Sequence, residues 1–217
     1  DRDYKMCISF EHCKFGSKGI DVDNPEYAGG ALTQSRLKSY VYIYYARMLN
    51  IRDCVINYAI TGNSSNCHGI YCRFPEILHV EDVKVYSPLN YGSYEYYPLC
   101  LSENSDDGIE CEIRNISQEL IFNGTYEYIP CLLRISGYLN ARIHNISVNM
   151  PDRGLSEVRP ANLYLQNNLI YFSYLRDFTV SDITVNIPRC WRCTAPAVGL
   201  YDCYSSNYVP GIEKDVR

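Results

Sequence analysis

Positive charge is scarce in this chain, and long apolar runs are missing from it. Lys and Arg number 20 against 25 Asp and Glu, for a formal net charge of −5. A balance of that sign removes the basic surface that phosphate backbones require, so no nucleic-acid partner is expected. No apolar stretch reaches the length of a membrane-crossing helix, so no membrane span is expected either. An initiator Met and a signal peptide are both lacking, which makes Asp1 read as a mature or excised start. Catalytic and metal motifs are equally thin. Cys190-Trp191-Arg192-Cys193 has no second C-x-x-C to complete a zinc site, and Cys67-His68 lacks the matching spacing. His12, His68, His79 and His144 are scattered, with no Ser or Cys partner for a triad. The expectation is no metal, no cofactor and no catalytic residue.

What the chain does have points outside the cell. Its 11 cysteines stand at Cys7, Cys13, Cys54, Cys67, Cys72, Cys100, Cys111, Cys131, Cys190, Cys193 and Cys203, a density unusual for a cytosolic domain. All are disulfide candidates, with Cys54, Cys72, Cys111 and Cys131 placed to join neighbouring repeats. The odd number leaves one thiol free, buried or bonded to another chain. Asn63, Asn115, Asn123 and Asn145 each open an N-x-Ser/Thr sequon. Cysteines and sequons together imply a secreted or extracellular-surface glycoprotein.

One eight-residue frame organises the middle of the chain. Leu78-x-Val80-x-Asp82-Val83-x-Val85 sets two alternating apolar residues, an Asp, and two more alternating apolar residues. It returns from Leu49 around Asp53, from Cys111 around Asn115, from Ala141 around Asn145 and from Phe178 around Asp182. Successive starts are 29, 33, 30 and 37 residues apart. Only Gln118 departs, standing where the last apolar residue belongs. Alternation at period two buries one face of a strand. The Asp or Asn falls where the alternation slips by one, and these residues tolerate the left-handed angles of a sharp corner. Short strands, joined at an Asn or Asp corner and repeated about every 30 residues, describe the coils of a solenoid. The fold expected is an all-β, single-stranded, right-handed parallel β-helix of about five to six rungs, with a β-sandwich as the alternative. Residues 1–40, which lack the frame as read, would form an N-terminal cap or extension held by Cys7 or Cys13, with a short helix around 31–38. Residues 41–217 would be the β-helix, as part of a longer chain or covered at its end by another subunit.

This frame resembles the repeat of right-handed parallel β-helix proteins: pectinases, polysaccharide lyases and large extracellular surface proteins. The likeness covers about 49–187 and implies the fold more than any activity. Polygalacturonases in that group use paired Asp residues as acid and base, and Asp106-Asp107-Gly108-Ile109 is similar to their paired-Asp motif. Their Asn-Thr-Asp and Gly-His-Gly are missing, and Arg142-Ile143-His144 stands where Arg-Ile-Lys would fall. Asp106 and Asp107 therefore read as a solvated loop tip.

Two further features bear on function. Tyrosines number 22 against six phenylalanines, and Tyr86, Tyr91, Tyr94, Tyr96 and Tyr97 crowd one loop as candidates for contact with a subunit or glycan. Pro151 to Leu163 is a second polar excursion. Asn115 and Asn145 share one corner of successive repeats, so glycans there would emerge nearly on top of each other. The expected function is a structural or adhesive extracellular module, self-associating as the repeating subunit of a surface filament, or binding glycans. Alternatives are a carbohydrate-active enzyme of polygalacturonase or lyase type, and a secreted viral receptor-binding or immune-evasion protein.

Overall fold

The computed structural model of the protein describes residues 6–16, 39–57, 68–88, 97–102, 108–121, 129–149, 164–165, 167–187 and 192–203. Among them there is no helix. The strands are β1 (Cys7–Glu11), β2 (Lys14–Phe15), β3 (Ser39–Asn57), β4 (His68–Pro88), β5 (Leu99–Cys100), β6 (Gly108–Ile121), β7 (Leu133–Ser136), β8 (Tyr138–Asn149), β9 (Tyr164–Leu165), β10 (Ile170–Ser173), β11 (Asp177–Asn186), β12 (Arg192–Cys193) and β13 (Val198–Tyr201).

Every pairing is parallel, and the pairings fall into stacked sides. On the corner side Ile8, Leu49, Leu78, Cys111, Ala141 and Phe178 are successive partners, so the repeated frame stacks on itself without a slip. On the second side Val41, Ile70, Leu99, Leu133, Ile170 and Val198 follow one another. β9 and β12 pair separately as a third, two-stranded element. Parallel neighbours need a long crossover, and here the rest of each coil supplies it. The result is a parallel β-solenoid, the fold class expected. About three turns are complete, fewer than the five to six rungs expected. On the second side several coils contribute only two to four strand residues, as in β5, β7 and β10.

The interior is dry and aliphatic. Leu49, Ile51, Leu78, Val83, Ile113, Ile146, Leu133 and Phe172 are all fully buried. Gln118, the residue that breaks the frame, is buried too. Its amide nitrogen donates to Ser87 Oγ at 3.1 Å and to the Cys131 carbonyl at 3.0 Å, which offsets the cost of burying that nitrogen, while its oxygen is buried without a partner. Gly108 is required by packing, since a Cβ there would sit 2.3 Å from the Tyr138 ring.

One stretch read as lacking the frame carries it. Ile8-x-Phe10-x-His12-Cys13-x-Phe15 stacks in register on β3, with His12 at the corner. The reading missed it because the corner residue is His rather than Asp or Asn. The candidate helix at 31–38 and the loop at 151–163 lie outside the described residues.

Candidate functional site

The corner builds the most ordered polar feature of the molecule. His12, Asp53, Asp82, Asn115, Asn145 and Asp182 all adopt positive φ, between 49° and 57°. The strands on either side are paired in register, so these residues form one column. Non-glycine residues in this region are uncommon, and Asn and Asp are the side chains that tolerate it best. Within the column Asn145 Nδ2 donates to Asn115 Oδ1 at 2.7 Å, and Asn115 Nδ2 donates to Asp82 Oδ1 at 2.9 Å. His12 Nδ1 lies 2.6 Å from Asp53 Oδ2 at the end of the stack, and Ser181 Oγ donates to Asp182 Oδ2 at 3.0 Å. A hollow of about 360 Å³ beside the ladder is lined by Asp53, Asp82, Asn115, Asn145, Lys84 and Ser147, among others.

Next to the corner runs a ladder of alternating charge. Glu81 receives Arg114 at 2.7 Å and Arg52 at 3.8 Å, and Arg114 also reaches Glu112 at 3.6 Å. The hydrogen bond from Arg114 holds the Glu81 carboxyl below its ordinary range. Glu110 and Glu112 converge with His79, their ligand atoms all within 4.8 Å of one another. Such a trio could take a divalent cation, though Arg114 already competes for Glu112. Glu110 and Glu112 also line a cleft of about 510 Å³ with Asn140, Arg142, Asp177 and Thr179.

An aromatic surface occupies the outer face of β3 and β4. Tyr42 stacks on Tyr71 at 4.9 Å and Tyr45 on Phe74 at 4.7 Å, while Arg73 lies over the rings of Tyr44 and Phe74. Tyr42 is 61% exposed and Tyr44 49%. Sequence reasoning placed the tyrosine surface elsewhere. Tyr97 is buried, packed with Tyr71, Cys100 and Cys131 beneath the surface, and so presents no contact face. Tyr86 is half-buried. The signal that would have found Tyr42 and Tyr44 was their alternation with Val41 and Ile43, which sends them outward.

Of the cysteines expected to bridge coils, Cys72 and Cys111 are free thiols in the core. The in-register partners of Cys111 are Leu78 and Ala141, and Cys72 pairs with Ile43, so neither meets a cysteine across its strand partner. Burial pushes the Cys72 thiol up to about 12 and Cys111 higher still. Asn63, Asn123, Asp106, Asp107, Tyr91, Tyr94, Tyr96, Cys67 and Cys190 lie outside the described residues.

No family model, curated protein or solved structure matches this chain. Among the described residues no helix is long and apolar enough to cross a membrane.

Proposed function

We propose that the protein is an extracellular, N-glycosylated, disulfide-containing structural or adhesive module that stacks end to end as the repeating subunit of a surface filament. One observation carries this reading: among the described residues the inward side chains of both end strands, β1–β2 and β11, are only half-buried. Among the described residues β1 and β2 occupy only the corner side of their coil, and no strand pairs with their outer edge. At the other end, among the described residues, β13 pairs with β10 alone. Inward residues are half-buried at both ends: Ile8, Phe10, Cys13 and Phe15 on one, Phe178, Val180, Ile183 and Val185 on the other. Stacking a second copy in the same register would cover both sets and set His12 against Asp182, as it already stands against Asp53. Such a contact is heterologous and does not close, which makes filaments.

The corner sequons support the extracellular half of the reading. Asn115 and Asn145 are exposed and one coil apart, about 4.8 Å along the stack. Each donates one amide hydrogen to the ladder, and the other remains for a glycan. Two glycans this close would shield the corner from proteases. The resemblance to pectinase-type β-helix proteins contributes the fold expectation alone.

Sedimentation velocity over rising concentration, with electron microscopy of the same samples, tests the assembly. The wild-type chain should form lengthening rods, and Val180→Lys on the β11 edge should remain monomeric. A chain that stays monomeric throughout removes the filament reading. Glycopeptide mapping of the chain secreted from eukaryotic cells tests the other half, with occupancy expected at Asn115 or Asn145.

A second reading has its own observation. The cleft holding Glu110, Glu112 and Asp177 offers convergent carboxylates on an open face, which a carbohydrate-active enzyme needs. Release of reducing or unsaturated ends from polyuronides, abolished by Glu112→Gln, would favour it over the structural module.

A further inference from the structure

The register of the first coil puts two cysteines against each other. Glu11 pairs with Arg52 and Lys14 with Val55, and between them Val55 N–H donates to the Cys13 carbonyl at 2.9 Å. Cys13 therefore lies beside Cys54, both pointing inward just past the corner. The Cys13 side chain is near enough to Cys54 to bear on its ionisation. No other strand pairing in the described residues brings cysteines together. Cys7 pairs with Met48, Cys72 with Ile43, Cys100 with Tyr71 and Arg134, Cys111 with Leu78 and Ala141, and Cys193 with Leu165.

We propose that Cys13 and Cys54 form a disulfide that fastens the first strand pair, β1–β2, onto β3. Neighbouring parallel strands are about 4.8 Å apart, inside the Cα separation of about 4.4–6.8 Å that a disulfide spans. Cys13 is half-buried on the end strand, whereas Cys54 is 1% exposed behind it. Cys13 thus meets an external disulfide first. Its thiolate attacks that reagent, forming a mixed disulfide and releasing one thiol. The Cys54 thiolate then attacks the Cys13 sulfur, expelling the second thiol. Two protein thiols become one S–S bond, and their two electrons and two protons leave with the reduced reagent. The bond would hold Ile8, Phe10 and Phe15 against the core at an edge where only one neighbouring strand secures them. This inference stands on the register of β1–β3 and does not depend on secretion or filament formation.

The test is disulfide mapping of the full-length chain, folded and treated with oxidised glutathione, then alkylated without reduction. Glu-C, trypsin and chymotrypsin together cut between Cys7 and Cys13 at Glu11, and between Cys54 and Cys67 at Tyr58. The expected product joins the Cys13 fragment to the Cys54 fragment and disappears on reduction. With Cys13→Ser, Cys54 should be recovered as a free thiol, alkylated only after unfolding. Cys13 joined to Cys7 or to any other cysteine would overturn the assignment. So would a Cys54 that stays reduced while Cys13 holds glutathione.

Discussion

The two sides of the coil reach the same burial by different means. The corner side repeats one frame, with aliphatic residues inward, charges outward and a hydrogen-bonded His, Asp or Asn at each bend. The second side has no such frame. Its strands are short, its bends are made by Gly137, Tyr174 and Asp202 at positive φ, and its outer face is joined by ring stacks and by Arg73 and Arg134 over tyrosine rings. Yet Leu99, Leu133, Ile170 and Phe172 are as buried as anything on the corner side. A solenoid needs a periodic interior on every side, but only one side need advertise it by a repeated polar residue.

If the second side is an equal part of one core, removing a large, fully buried side chain from it should be a highly damaging simple substitution. Phe172→Ala should cost about 3–5 kcal/mol in urea unfolding, the usual toll for a fully buried ring. Val180→Ala, half-buried on the end strand of the corner side, should cost about 1 kcal/mol or less. Equal losses would mean that the second side packs as a loose cover instead.

The buried thiols compare the sides by pH. Cys72 belongs to the second side and Cys111 to the corner side. Burial raises both in the folded protein, Cys72 from 9.0 to about 12. A thiol whose folded value is raised stabilises fully below its unfolded value and loses that contribution as pH climbs towards the folded one. Stability should therefore fall above about pH 9, with Cys72 alone contributing at most roughly 4 kcal/mol up to about pH 12. Cys72→Ala should flatten that fall. A urea midpoint in Cys72→Ala that declines as steeply as wild type would show that Cys72 ionises as readily folded as unfolded.

How far the sequence revealed this molecule follows from the same asymmetry. Asp53, Asp82, Asn115, Asn145 and Asp182 were readable because the corner imposes a backbone angle that few side chains accept. His12 satisfies the same angle with a different side chain and went unread. The second side was illegible for a different reason: Gly137, Tyr174 and Asp202 share a backbone angle but no chemistry. The cleft around Glu110, Glu112 and Asp177 was hidden because its residues come from three successive coils, whose frames start 30 and then 37 positions apart. Only register brings them together. Tyr97 sits in a tyrosine-rich, polar stretch of sequence, and nothing in that neighbourhood marks it as buried.

The corner ladder predicts a middle-sized effect with an internal control. Asn115→Ala removes a donor to Asp82 and an acceptor for Asn145, and forces alanine into a left-handed angle. The loss should be about 2–3 kcal/mol, from two exposed hydrogen bonds and about 1 kcal/mol of backbone strain. Asn115→Gly removes the same bonds without the strain and should be the milder change. Were the two variants equally stable in urea, the positive φ at the corner would not be an energetic constraint.

The smallest effect belongs to the charged row outside the corner. Arg114 bridges Glu81 on the adjacent coil and Glu112 on its own strand, and all three side chains remain partly open to solvent and salt. Arg114→Ala should leave the unfolding midpoint at neutral pH close to wild type. Its signature lies in titration. Glu81 is held below 4.5 chiefly by its hydrogen bond from Arg114, so NMR titration of the variant should return that carboxyl upward. A group depressed on folding stabilises above its unfolded value and loses that contribution as pH falls through the folded one. The difference between wild type and Arg114→Ala should accordingly shrink below pH 4.5 and with added salt. A Glu81 titration unmoved by the substitution would leave the corner side with amides alone, and would make its outer charges a solubilising coat instead of a second ladder.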